Sequence, residues 1–191
     1  MKYKVIVIGS SAGGMDALLI LLKALPKTFA LPILIVQHLS PTSDSFLANY
    51  LNTQCQLRVK EADEKEKIFH GTVYLAPPNY HLLVEDDASL SLSVEEKVNY
   101  ARPSIDVLFE SAAYAFGKGV IGIVLTGANT DGSRGLSIIK QFGGIAIVQD
   151  PDGASVDTMP RAAIAATKVD YILPLEKISD LLMEITSENR R

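Results

Sequence analysis

The stretch VIVIGSSAGGMDALLILL, Val5 to Leu22, decides how the rest of the chain is read. Val5 to Ile8 are four successive β-branched residues. They give way at Gly9 to a run of small residues, and a segment with helical spacing of apolar side chains follows. A strand that is apolar on successive rather than alternate residues is one buried on both faces, as in a parallel sheet covered by helices. The pattern recurs: KVIVIG, ILIVQH, VIGIVLTG, IAIVQD and YILP read as such strands, and GMDALLILLKAL, PTSDSFLANYLNT, PSIDVLFESAAYAFG, DGSRGLSIIKQFG and MPRAAIAAT as the helices between them. The expected fold class is α/β, a doubly wound, mainly parallel sheet flanked by helices. Gly71 to Asn99 breaks the alternation and reads as a small antiparallel excursion of short strands, with turns at Pro77-Pro78-Asn79 and Asp86-Asp87. The closing SENRR reads as a frayed tail.

The chain has 191 residues, 48% of them hydrophobic and 21% charged, enough for one well-filled core, so residues 1–191 are expected to form a single domain. With 18 basic and 22 acidic side chains the formal charge is −4, and no cluster of Lys or Arg could neutralise a phosphate backbone, which argues against nucleic acid as a partner. KEADEKEK, Lys60 to Lys67, mixes both signs and reads as a solvated loop or helix face. Cys55 is the single cysteine, so no intrachain disulfide can form; it reads as a small buried or half-buried hydrophobe, and a cytoplasmic location is expected. The apolar run near the N-terminus is about five residues long before it meets glycine, too short for a signal peptide or a membrane span. Ala17 to Leu25 is interrupted by Lys23, stops at Pro26 and reads as a buried helix, so no direct membrane insertion is expected. No spacing of His, Cys and carboxylates argues for a metal, and no cofactor is implied.

Gly9-Ser10-Ser11-Ala12-Gly13 matches G-x-S-x-G, and it lies after an expected strand and before a helix starting near Gly14, the context that motif requires. Ser11 takes the central position and Ser10 points away. The same turn is open to two other readings, an anion site at a helix N-terminus or a plain tight connection. The dinucleotide fingerprint fails, since Ser11 stands where its second glycine belongs, and no G-x-x-x-x-G-K-[ST] exists. A serine hydroxyl needs a base to become a nucleophile, and the base needs an orienting group. Among the three histidines, His38 ends the run PILIVQ and falls at the carboxyl end of a second parallel strand, beside that of Ser11. His70 and His81 fall in turn-like segments and read as surface or substrate-side residues. Asp131 follows the run Val120 to Leu125 in another strand-end turn, where it reads either as the N-cap of the next helix or as the third member of a Ser, His, Asp set on one sheet edge.

Six segments, IGSSAGG, VQHLSP, YLAPPNYH, RPSIDVLFESAA, VLTGANTDGSRGL and MPRAA, resemble in that order the catalytic domain of the chemotaxis receptor methylesterases of the CheB family, over nearly the whole chain. The resemblance implies a serine esterase that hydrolyses glutamate methyl esters of chemoreceptors and also deamidates receptor glutamines. Ser11 is then the nucleophile, His38 the base and Asp131 its orienting group. Backbone N–H groups near Ala12 and Ala128 are the candidates for an oxyanion hole, and Arg102 and Met159 are candidates for substrate contact. For Arg102 a salt bridge at a helix entry is the competing reading; Met159-Pro160-Arg161 is expected to open a helix with Pro at its first position. The implied partners are the cytoplasmic helices of methylated chemoreceptors and a receiver or methyltransferase protein in trans.

Two departures bear on these expectations. Ala12 and Ala128 stand where the family commonly carries threonine and methionine, which leaves the backbone donors in place and changes the shape of the pocket. Family members also follow a receiver domain and a linker, whereas the first motif here begins within ten residues of Met1. The expectation is either a trimmed chain or a stand-alone form active without a phosphodonor. The alternatives from other classes are a catalytically silent signalling module of the same fold and a small-molecule anion or nucleotide binder at Gly9 to Gly14.

Overall fold

A computed structural model of the chain describes residues 3–40 and 42–188; Pro41, at the head of the second helical segment, and Asn189 to Arg191 of the expected tail lie outside the described residues. The elements run β1 (Val5–Ser10), α1 (Gly14–Lys23), β2 (Ile33–Gln37), α2 (Phe46–Gln54), β3 (Arg58–Glu61), β4 (Thr72–Leu75), β5 (His81–Val84), β6 (Leu90–Ser93), α3 (Ile105–Phe116), β7 (Val120–Val124), α4 (Ser133–Gln141), β8 (Ile145–Gln149), α5 (Thr158–Ala166), β9 (Tyr171–Leu173) and α6 (Leu175–Glu188). Seven strands form one parallel sheet in the order β3-β4-β2-β1-β7-β8-β9, while β5 and β6 make a separate antiparallel pair.

The alternating pleat divides the core in two. Ile6, Ile8, Ile33, Ile35, Ile121 and Ile123 face a layer built from α1, α2 and α6. Val5, Val7, Leu34, Val36, Val120 and Val124 face the opposite layer, where α3, α4, α5 and the β5–β6 hairpin pack. Both faces of the central strands are thus covered, and this is why their sequences are apolar at every position. Strands β2 and β7 flank β1 on opposite sides, so successive connections leave β1 in opposite directions. Such a reversal opens a crevice beyond the carboxyl ends of the strands.

The sheet is wider than the sequence pattern suggested. Thr72–Leu75, expected in the antiparallel excursion, instead lies parallel in the main sheet, with Val73 opposite Ile33 and Tyr74 opposite Leu34. At four residues it carries too little periodicity to separate a parallel strand from a hairpin strand. Lys60 and Glu61 of the charged run belong to the edge strand β3 rather than to a loop or helix, and Lys60 Nζ reaches Asp63 at 2.6 Å and Glu66 at 2.7 Å. Ser187 and Glu188, expected as frayed tail, close α6, whose Leu175, Ile178, Leu182 and Ile185 complete the first core layer. Cys55 is half-buried against that layer, and burial pushes its thiol above the ordinary value.

Candidate active site

Three strand ends meet at the crevice. The backbone joins them directly: His38 N–H donates to Ser10 O at 3.0 Å, and Ser11 N–H to Thr126 O at 3.0 Å. Beneath them Gln37, the last residue of β2, acts as a buried brace. Its Nε2 donates to the carbonyls of Ser11 and His38, both at 2.9 Å, while its Oε1 accepts from the Ser10 hydroxyl at 2.7 Å. Ser10 is fully buried and turned inward, so of the two serines only Ser11 faces the cleft, as its central place in the turn required. Gly13 sits at φ +76°, and a Cβ on it would lie 2.6 Å from Ser155 Cβ, so this position of the turn demands glycine.

Gln149 repeats the arrangement at the end of β8, where its Oε1 accepts from Thr126 N–H at 2.9 Å. Thr126 Oγ1 then donates to Ala12 O at 2.8 Å and ties the first turn to the one after β7. The N–H groups of Ala12 and Ala128, the two oxyanion candidates, make no hydrogen bond among the described residues. A cleft of about 390 Å³ opens in front, lined by Ser11, His38, Leu39, Asn129 and the segment around Lys97 to Pro103.

His38 and Asp131 form a pair, with Nε2 2.9 Å from Oδ2 and side-chain exposures of 13% and 0%. Asp131 is the hub of the site. Its Oδ1 accepts from Asn99 Nδ2 (3.0 Å), Ser104 Oγ (2.9 Å), Asp106 N–H (3.1 Å) and Gly132 N–H (3.1 Å), and its Oδ2 also accepts from Ile105 N–H at 2.7 Å. Burial alone would raise its pKa. The hydrogen bonds from His38, Asn99, Ile105 and Asp106 outweigh burial and hold the carboxyl below the ordinary value. As a carboxylate it fixes the His38 proton on Nε2 and leaves Nδ1 as the basic nitrogen. Asn129 faces that nitrogen, its Nδ2 3.0 Å from His38 Nδ1, and its own orientation is set by Asp131 N–H donating to its Oδ1 at 3.0 Å. The Ser11 hydroxyl makes no hydrogen bond among the described residues. Serine and imidazole therefore share a cleft without being hydrogen-bonded in the free protein.

The N-cap expected of Asp131 is present but on another helix. Gly132 caps α4, whereas Asp131 receives the first two N–H groups of α3, Ile105 and Asp106. Asp106 returns the arrangement: its Oδ1 accepts from Gly132 and Gly135 N–H of α4 at 2.9 and 2.7 Å, and its Oδ2 accepts from Asn99 Nδ2 at 2.8 Å. Each carboxylate caps the other's helix, and the Asn99 carboxamide bridges them. Burial, with the charge of Asp131 beside it, raises the pKa of Asp106 against the bond from Gly135.

The remaining candidates separate. Arg102 is half-buried at the cleft but forms no helix-entry salt bridge; its guanidinium donates to Asn79 Oδ1 and to the carbonyls of Val94 and Glu95. Met159 is 1% exposed, with its thioether packed against Gly127 behind Ser11, so it supports the turn and cannot meet substrate. Its helix begins at Thr158, which puts Pro160 at the third position rather than the first, as Asp157 takes the cap. His81 is 2% exposed rather than substrate-side: Nδ1 accepts from Ser104 N–H at 3.1 Å and Nε2 lies 3.0 Å from Glu96 O. His70 is at the surface, with Nδ1 2.8 Å from Ala30 O. Asn99, Asn129, Gln37 and Asp106 went unread in the sequence, since single carboxamides and carboxylates at turns and strand ends carry no periodic signal.

A serine, a histidine and an aspartate on the carboxyl edge of one parallel sheet, beside two backbone donors unbonded among the described residues, place the chain among the open α/β proteins that keep their site at that edge. Within that class the chain belongs to the CheB methylesterase family, whose model matches residues 6–182. A Leptospira interrogans protein provisionally named protein-glutamate methylesterase/protein-glutamine glutaminase is 52% identical, with 99% of this chain and 98% of that protein aligned. A Thermotoga maritima protein bearing the same double name is 36% identical over 95% of this chain and 54% of its own length. The protein-glutamate methylesterase FrzG of Myxococcus xanthus is 38% identical over 95% of this chain, which again spans 54% of the relative. The crystal structure of the Thermotoga maritima CheB methylesterase catalytic domain superposes with a TM-score of 0.92 at 36% identity, covering 97% of this chain and all of that one. No helix among the described residues is long and apolar enough to cross a membrane.

Proposed function

We propose that this protein hydrolyses glutamate methyl esters on chemoreceptors through an acyl-enzyme on Ser11, and by the same route deamidates receptor glutamines. The observation that carries this reading is the His38–Asp131 pair at 2.9 Å, in the cleft that Ser11 lines. When substrate is seated, the Ser11 hydroxyl takes the place of the Asn129 amide on His38 Nδ1, the tightening expected as a free site becomes a Michaelis complex. Nδ1 removes the hydroxyl proton as Oγ attacks the ester carbonyl. Asp131 stabilises the imidazolium, and the N–H groups of Ala12 and Ala128 receive the developing oxyanion. The imidazolium then returns its proton to the departing methanol. Water, activated by the same nitrogen, attacks the acyl-Ser11 carbonyl and releases the glutamate side chain as a carboxylate.

The experiment is methanol release from a methyl-esterified cytoplasmic fragment of a chemoreceptor, comparing the parent chain with Ser11→Ala. The expected result is turnover by the parent and loss of it in the variant. A parent that binds the fragment and releases no methanol would instead be a silent binding module.

A further inference from the structure

The turn that borders the cleft carries a side chain the chemistry above leaves unused. Val98 and Ala101 exchange backbone hydrogen bonds of 3.2 and 2.9 Å around Asn99 and Tyr100, whose φ angles are +52° and +62°. A turn with both central residues left-handed is the one for which Asn-Gly is preferred, because the second place suits glycine and strains a bulky side chain. Asn99 fits its place, and its amide anchors the turn to Asp106 and Asp131. Tyr100 does not fit, yet it stands there 99% exposed, with no hydrogen bond or ring contact among the described residues.

Exposed Glu95 and Glu96 precede Lys97 in the chain, but the charged side chains that line the cleft itself are cationic. Lys97 and Arg102 line the cleft and no Asp or Glu does, on a chain of formal charge −4. Arg102 gives four of its five N–H donors to Asn79, Val94 and Glu95, whereas exposed Lys97 has no partner among the described residues. A strained backbone that holds an aromatic ring in water at the rim of a site, beside a free cation, suits contact with a large acidic ligand. A bare methyl ester in the cleft gives neither group anything to meet.

We propose that Tyr100 is a specificity residue: its ring packs against the polypeptide that presents the ester, an acidic segment with a side-chain carboxylate opposite Lys97. The inference rests on the esterase reading above and assigns its selectivity for protein over small esters to the Val98–Ala101 turn.

The test uses the full chain and its Tyr100→Gly and Tyr100→Ala variants, with the methyl-esterified receptor fragment and p-nitrophenyl acetate as probes. Kd for the fragment is read by fluorescence anisotropy and kcat/KM for both esters by product release. Tyr100→Gly relieves the left-handed strain, so it should melt no lower than the parent, which separates lost contact from lost fold. Both variants should weaken Kd about tenfold or more, as for a buried aromatic anchor, and the ratio of kcat/KM for fragment over small ester should fall by a similar factor. A Kd in Tyr100→Gly within about threefold of the parent, or no binding of the fragment by the parent, overturns the proposal. If the parent hydrolyses neither ester, the serine esterase reading fails, and the Kd series still judges Tyr100.

Discussion

Asp131→Asn tests whether the aspartate acts by holding one tautomer of His38. The change exchanges one carboxylate oxygen for an NH₂ group. Oδ1 receives four donors (Asn99, Ser104, Asp106 and Gly132) and Oδ2 receives two (His38 and Ile105), so the surviving oxygen should keep the Oδ1 side. The NH₂ group then points at Ile105 N–H and His38 Nε2–H. The imidazole can relieve the clash only by moving its proton to Nδ1. That nitrogen faces Asn129 Nδ2, a donor locked in place by the Asp131 backbone N–H, so the escape creates a second donor–donor contact and removes the basic lone pair from the cleft. The expected loss is on the order of 10⁴ in kcat, the scale for a wrong imidazole tautomer. The orphaned Ile105 N–H should add a stability cost of about 1–3 kcal/mol. Methanol release at saturating ester, normalised to folded protein, gives the first number and chemical denaturation the second. Nitrogen-15 chemical shifts of His38 report which ring nitrogen carries the proton. A kcat within about tenfold of the parent, or an unchanged tautomer, would refute the reasoning.

Ser11→Ala and His38→Ala should each remove nearly all serine-dependent turnover, and the double variant should lose little more, which a double-mutant cycle on kcat/KM checks. Ser10→Ala should keep the chemistry yet cost about 1–3 kcal/mol in a denaturation curve, because Gln37 Oε1 loses its buried donor. Gly127→Ala would put a Cβ into the Met159 thioether and 2.9 Å from Ser11 Cβ; a loss of about 1–3 kcal/mol and a drop in kcat are expected, with partial recovery of stability on adding Met159→Ala. Asp131, with its pKa depressed in the folded state, contributes stability that is present above the ordinary carboxylate pKa and lost as pH falls through the lowered value. Melting temperature should therefore fall more steeply below about pH 4 in the parent than in Asp131→Asn. Asp106 has the opposite sign: with its pKa raised, it costs stability as pH rises from the ordinary value through the raised one.

What could be read from the sequence was what local chemistry determines. Four buried parallel strands, β1, β2, β7 and β8, show as unbroken apolar runs, and position at their carboxyl ends made Ser11, His38 and Asp131 candidates, while their roles came from the family resemblance; YILP shows the same kind of run, but β9 is the exposed edge of the sheet. The four-residue β3 was not legible as a strand, and β4 was legible as a strand but not as a parallel one, because so few residues fit more than one pattern. Partners were the harder part. TGANTDGS shows an aspartate next to a helix start, open to a cap reading for that helix, but Asp131 takes the Ile105 and Asp106 N–H groups of α3, while Asp106 takes Gly135 N–H of α4 and shares Gly132 N–H with Asp131. This exchange has a consequence for the site. Two carboxylates, 1% and 2% exposed, can stay buried together only while each receives N–H groups from the other's helix and both share the Asn99 amide. Docking α3 against α4 therefore builds the acceptor array that orients His38, and the energy that packs the second core layer is the same energy that holds the imidazole in place. Asn99, in the turn that presents Tyr100 at the cleft, lies where that array meets the surface.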